Sequence, residues 1–173
     1  SMEHIKQEYP SYGHGDMRAP AYDILQTDGS HITEFVYESH RIYQGKPGLK
    51  GLPAAYAEDP KEASTLEIVL GDAWIRTKLV LTYTIYEDLP VITRSARFIC
   101  DNEEGVVLNQ AMSASVDLPD SGFEMVELTG AWARERSVKT RRLEHGIQSI
   151  YSMRGCSSNN YNPFLALKRP DAG

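Results

Sequence analysis

The sequence predicts an all-β fold, with antiparallel strands packed as two sheets and long loops between them. Three observations predict it. Apolar and polar residues alternate with period two through much of residues 66–116. No segment carries a 3.6-residue apolar stripe longer than about two turns. Turn residues recur about every 8–12 positions and mark out about eight to eleven short strands, the spacing of an all-β sandwich.

Taken in order, residues 8–22 contain Pro10, Gly13, Gly15 and Pro20, which exclude both a helix and a long strand. They form a long shaped loop carrying Tyr9, Tyr12 and Tyr22. Residues 21–27, the Asp28-Gly29 turn and residues 32–43 read as a hairpin. Residues 45–60 are a second long loop rich in Gly and Pro.

The central stretch reads as four consecutive antiparallel strands. Residues 66–70 are the first, and Gly71-Asp72 is a two-residue turn with Gly where a positive φ is needed. Residues 73–86 are the second. Ala73, Ile75, Thr77, Leu79, Leu81, Tyr83 and Ile85 lie on its core face. Trp74, Arg76, Lys78, Thr82 and Thr84 lie on a wet face, with Val80 the one aliphatic exception. Pro90 breaks the run, because proline cannot donate to a ladder. Residues 91–100 and 106–116 are the third and fourth strands, joined by a turn at 102–105. Beyond a turn at 119–122, residues 123–130 are a strand, and 131–136 with 138–143 are another pair. A turn at 145–146 leads to a strand at 147–154, a loop at 155–163 and a last short strand at 164–167.

The chain of 173 residues is long enough for one domain with its own core. Charged residues at 24% and hydrophobic residues at 41% are ordinary for a globular chain. A net charge of −6 argues against nucleic acid and anionic membrane, both of which call for basic patches. No apolar run is long enough for a transmembrane helix, and no leader is visible. Cys100 and Cys156, without a leader, suggest reduced thiols in the cytoplasm, and Cys100 reads as a small core residue. Ser1-Met2 resembles a cloning remnant, and the chain stops soon after an apolar run, so it reads as a segment excised from something larger.

Several residue groups could carry chemistry. Glu34, Glu38 and His40 share one face of a strand, but Glu34 and Glu38 would be about 13 Å apart at about 3.3 Å per residue. That exceeds the roughly 5–9.5 Å carboxyl separation of a glycosidase. Glu38 and His40 are close enough to pair; a solvated face is the plainer reading. His14 and Asp16 could ligate a metal, but no further ligand stands at a telling spacing, so no metal and no cofactor is expected. There is no nucleophile elbow and no phosphate-binding glycine motif.

Trp74, on the wet face, could stack on a sugar or sit in a protein interface, or be covered by a loop of its own chain. Trp132 with Arg134, Glu135 and Arg136 could do the same, or form an Arg–Trp stack with an internal ion pair. In the 8–22 loop, Tyr12, Asp16 and Arg18 offer an aromatic wall, acceptors and charged donors for sugar hydroxyls, or an ion pair that pins the loop.

An ordered set of motifs resembles the N-terminal domain of α-galactosidases of glycoside hydrolase family 36. It runs through residues 7–22, Ser39-His-Arg-Ile-Tyr43, Lys46-Pro47, Gly51-Leu-Pro53, Tyr83-Thr-Ile-Tyr-Glu-Asp88 and Val91-Ile-Thr-Arg-Ser95. It continues through Ser113-Ala-Ser-Val-Asp117, Gly130-Ala-Trp-Ala-Arg-Glu-Arg136, Gly146-Ile-Gln-Ser149 and residues 154–164. The resemblance implies a β-supersandwich of the galactose mutarotase type, followed in the parent by a catalytic (β/α)₈ barrel and a C-terminal β domain. A barrel alone needs about 250 residues, so the two catalytic aspartates lie outside this chain. The resemblance also implies an α-galactoside substrate, packing against the parent's own barrel, a homo-oligomer, and loops reaching a neighbouring active site. Tyr12, Asp16 and Arg18 are the candidates for that contact, and Trp74, Trp132 and Arg134 for an interface or sugar stacking. A free-standing carbohydrate-binding module and a mutarotase-like isomerase are the rival readings.

Overall fold

A computed structural model of the chain describes residues 5–51, 54–154, 156 and 158–171. Ser1-Met2 and the Leu52-Pro53 part of one quoted motif lie outside these, as do Gly155 and Ser157 of the 155–163 loop and the last two residues. The fold is all-β, and every strand pair is antiparallel. The strands are β1 (Tyr22–Leu25), β2 (Val36–Gln44), β3 (Ala63–Asp72), β4 (Thr77–Tyr86), β5 (Ile92–Cys100), β6 (Val107–Ala111), β7 (Glu124–Ala131), β8 (Arg134–Arg142) and β9 (Tyr161–Lys168). No helix among the described residues is long and apolar enough to cross a membrane.

The chain divides into two compact units, Ser1–Asp117 and Leu118–Gly173. The first holds a four-stranded sheet in the order β2-β3-β4-β5 and a two-stranded sheet of β1 and β6. Tyr22 and Ile24 of β1, with Ala21 just ahead of it, meet Leu79 and Leu81 of β4 and Ile75 of the turn before β4 to form the core. Tyr22 anchors it. Its ring stacks on Tyr9 at 5.6 Å and meets Phe35 and Phe98 at 5.6 and 5.4 Å. Its hydroxyl shares a 2.8 Å hydrogen bond with Thr33.

The central meander is partly as expected. β3, β4 and β5 pair in register from Asp72↔Thr77 to Ile85↔Ile92. The fourth strand departs: β6 leaves the meander and pairs with β1, while β2 takes the other edge beside β3. The expected 21–43 hairpin is therefore not formed. Residues 26–30 still turn tightly, with Gly29 at φ 85° and its N–H donating to Gln26 O. The burial of Tyr22 and Ile24 selects the distant partner over the nearby one.

The turn between β3 and β4 also differs. Gly71 and Asp72 belong to β3, and residues 73–76 make the turn. Asp72 Oδ1 accepts from the N–H of Trp74 and Ile75 at 2.9 and 3.2 Å, an Asx-type cap. Gly71 leaves room for Glu38, since a Cβ there would stand 2.0 Å from Glu38 Oε1. The wet face of β4 is not wholly wet: Val80 and Thr84 are buried. Residues of the 45–60 loop lie over Thr82 and Thr84, and Thr65 Oγ1 donates to Gly45 O at 2.6 Å. Cys100, expected in the core, is exposed at the end of β5, and both cysteines are free.

The second unit is a three-stranded sheet in the order β8-β7-β9. The residues expected as two strands, 131–136 and 138–143, are instead the β7–β8 hairpin tip and one strand, β8. The expected strand at 147–154 is not formed, and the last strand is longer than expected. Glu127 on β7 is buried and receives Arg141 Nη2 at 2.9 Å, which also donates to Ser149 O.

Candidate functional site

The loop ahead of β1 is held by its own charges. Gly13, His14 and Gly15 all have positive φ, a sequence of left-handed residues that two glycines make tolerable. The turn brings Asp16 back toward the preceding segment. Asp16 Oδ1 accepts from Arg18 N and Nε, each at 3.0 Å, and Oδ2 from Arg18 Nη2 at 2.8 Å and Gln7 Nε2 at 2.9 Å. Arg18 Nη1 donates to Asp117, and Nη2 to Ile5 O at 2.8 Å. The Asp16 side chain is 4% exposed and the Arg18 guanidinium stays partly open.

The loop is clamped to the strand behind it and to residues 112–117. Asp117 Oδ2 accepts from Gln7 N at 2.8 Å. Arg94 Nη1 donates to Ser115 O at 2.8 Å, while its Nη2 meets the Glu8 carboxylate and its guanidinium lies 5.1 Å over the Tyr83 ring. Tyr9 donates to Met112 O at 2.5 Å. Tyr12 is left facing out, 51% exposed, with its ring 5.9 Å from that of His31. His31 Nδ1 is 2.6 Å from Asp23 Oδ1. The structure thus brings Asp16 and Arg18 together with Asp117 and Gln7, while Arg94 ties Glu8 of the same loop to Ser115 O. Gln7, Arg94 and Asp117 all sit in the family-like motifs, at 7–22, 91–95 and 113–117.

The charges have consequences for pH. The Arg18 hydrogen bonds hold Asp16 below the ordinary carboxylate range. Arg41 does the same for Glu67. In the second unit, Arg169 grips Asp120 at 2.7 and 2.9 Å and holds it down at about 2. A carboxylate with a depressed folded pKa stabilises fully above its unfolded value of about 4, and the benefit is lost as pH falls through the folded value. Burial pushes Tyr9 up to about 12. Its contribution is full below about 10 and lost as pH rises toward 12. Urea melts across the pH range are expected to show a plateau between these limbs. Arg169→Gln is expected to flatten the acid limb of the second unit between about pH 4 and 2; an acid limb as steep as before would contradict this.

The other sequence candidates are dispersed. Glu34 precedes β2, and Glu38 sits where the β2–β3 register slips between Tyr37 and Ser39. That bulge breaks the period of two, so Glu38 and His40 do not pair. Glu38 takes Lys78 at 2.9 Å, and His40 Nδ1 takes the Tyr37 hydroxyl at 2.6 Å. His14 Nε2 lies 3.0 Å from Thr33 O, away from the Asp16 partners. Among the described residues no three His, Cys, Asp or Glu side chains gather as metal ligands.

Trp74 is not on a strand face but in the 73–76 turn, 86% exposed. Trp132 is at the β7–β8 tip, 85% exposed, with Ala133 at φ 61°. The Arg–Trp stack is not formed among the described residues, and the Glu135 carboxylate accepts from Ala133 N at 2.9 Å. Arg134 lines a shallow surface depression with Gly130 and Lys139.

The model of the glycosyl hydrolase family 36 N-terminal domain matches residues 1–173. Alpha-galactosidase AgaA of Geobacillus stearothermophilus is 50% identical over 172 residues, covering 99% of this chain and 24% of that protein. Alpha-galactosidase 1 of Pediococcus pentosaceus is 42% identical over 167 residues, 96% of this chain and 23% of that protein. The crystal structure of an AgaA variant in complex with raffinose superposes with a TM-score of 0.96 at 50% identity, over 99% of this chain and 24% of that one. The chain spans about a quarter of the length of the relatives it matches.

Proposed function

This chain belongs to the N-terminal domain family of glycosyl hydrolase family 36, and from that membership we propose that it is scaffold and pocket rim for an α-galactosidase whose catalytic centre lies elsewhere in the parent protein. The parent removes terminal α-linked galactose from oligosaccharides such as raffinose or melibiose. The two catalytic carboxylates belong to its barrel, and the present residues do not cleave substrate by themselves. The two units act together as one N-terminal domain that braces the barrel and helps build a homo-oligomer. Two free, exposed thiols fit a cytoplasmic setting, and the acidic balance fits a partner other than nucleic acid or membrane.

The observation that carries the rim assignment is the loop ahead of β1. Its charges are spent largely on fixing its own shape, so it is rigid enough to present groups at a neighbouring active site. Tyr12 supplies a wall. The partly open Arg18 guanidinium, oriented by Asp16 and Asp117, keeps one Nη1 N–H to donate to a galactoside hydroxyl. Trp132 and Arg134, at the β7–β8 tip, are suited to an interface within the oligomer.

The test is kinetic, in the full-length enzyme. Arg18→Ala is expected to lower kcat/KM for an α-galactoside by about tenfold or more, the loss of one charge-assisted hydrogen bond, and Asp16→Ala to do the same by releasing Arg18 from its orientation. Tyr12→Ala, at an exposed position, should raise KM with thermal stability unchanged. Wild-type kinetics in all three variants would overturn the rim role.

A further inference from the structure

Trp74 lines a groove that includes none of the rim candidates Tyr12, Asp16 and Arg18. The groove has a volume of about 670 Å³, and its walls include Glu34, Tyr37, Glu38 and, from the turn of the loop ahead of β1, His14. We propose that it is a binding site for a neutral oligosaccharide, with the Trp74 indole as the stacking platform.

Four observations carry this. First, the platform is pre-set. Asp72 is buried and joins both walls: its Oδ1 caps the turn that holds Trp74, and its Oδ2 accepts from Glu34 N at 2.8 Å. A ligand would meet an aromatic ring on a turn that is already ordered, which limits the entropy lost on binding. Second, the indole is exposed on a surface where burial would ordinarily be favourable, and its Nε1 has no acceptor among the described residues. It offers a face to the apolar side of a sugar ring and a donor to a sugar oxygen. Third, the polar groups suit hydroxyls. The Glu34 carboxylate has no partner among the described residues and can accept from two hydroxyls. The Glu38–Lys78 pair sets an acceptor beside a donor at 2.9 Å. Fourth, the charge selects among sugars. Glu34 and Glu38 line the groove, and Lys78 is already paired with Glu38, so a uronate or phosphorylated sugar would be repelled.

The site is separable from the rim role, because its residues lie wholly within the first unit, include none of Tyr12, Asp16 and Arg18, and need neither barrel nor neighbour. It is tested on the 173-residue chain by titrating raffinose and following tryptophan fluorescence. A saturable change with a dissociation constant in the millimolar class is expected, as befits one stacked ring and a few exposed hydrogen bonds. Trp132→Phe should keep the saturable change. Trp74→Ala should abolish binding measured by ligand-observed NMR, with an unchanged thermal melt. Glu34→Gln should weaken it several-fold, and galacturonate should not bind. Binding that survives Trp74→Ala, or no saturable response in the wild-type chain, would overturn the proposal. So would a change in oligomeric state on Trp74→Ala with no response to raffinose, since the surface would then be a protein contact.

Discussion

Replacing Tyr22 by Ala is expected to destabilise the first unit by about 3–5 kcal/mol, the range for deleting a large buried ring. Tyr22 is 3% exposed and lies among Tyr9, Phe35 and Phe98, so the cavity would be bordered by rings that cannot easily collapse into it. The substitution also leaves the buried Thr33 hydroxyl without its partner. A midpoint lowered by on the order of 10 °C is expected for a chain of this size. Tyr22→Phe separates the two contributions. It keeps the ring and loses the hydrogen bond, so about 1–3 kcal/mol is expected, most of it from the stranded threonine. Urea denaturation of both variants measures this. A Tyr22→Ala cost under about 1 kcal/mol would mean that the two sheets of the first unit do not share the core described above.

Gly130→Ala is expected to cost about 3 kcal/mol, localised to the second unit. A Cβ at Gly130 would stand 2.5 Å from Arg134 O, 2.7 Å from the Glu135 Cα and 2.9 Å from Asn159 O. All three are backbone atoms, so no side chain can swing away. β8 and the segment leading to β9 would have to move off β7 together, breaking the 3.0 Å bond from Gly130 N to Asn160 O. Hydrogen exchange should show lost protection along β7 and β8, with the amides of β3 to β5 unchanged. Protection retained at β7 would show that the hairpin tip accommodates the methyl group.

How much of this was legible depended on range. The strands β3, β4 and β5 were readable because apolar residues recur at every second position over a long run through β4, with Val80 the exception. Their local order was correct, but the partners of β1, β2 and β6 were not. Pairing of Tyr22 with Ala111 is set by which strand buries Tyr22 and Ile24, a tertiary choice that leaves no local mark. Gly71 was readable as special but for the wrong reason. It makes room for a side chain from β2 instead of turning the chain. Likewise Thr84 looks solvent-facing until the 45–60 loop lies over it. Period-two reading identifies a polar face and cannot say what covers it.

The candidate site divides the same way. Asp16 and Arg18 were legible as a pair because they are two residues apart on a Gly-framed loop. Asp117, a hundred residues away in the chain, was not legible as their third member except through a family-like motif. The Glu38–His40 pairing failed because a bulge at Glu38 turned its carboxylate toward Lys78. Trp74 and Trp132 both proved exposed, but on turns and not on a strand face.

Under the proposed scaffold and rim role, these residues shape and support a reaction centre that they do not contain. Hydrolysis of a chromogenic α-galactoside tests it most directly, measured side by side on the 173-residue chain and on the full-length enzyme. Turnover by the full-length enzyme and background rates from the chain alone are the predicted result. Galactose release by the chain alone, above background and proportional to its concentration, would contradict it.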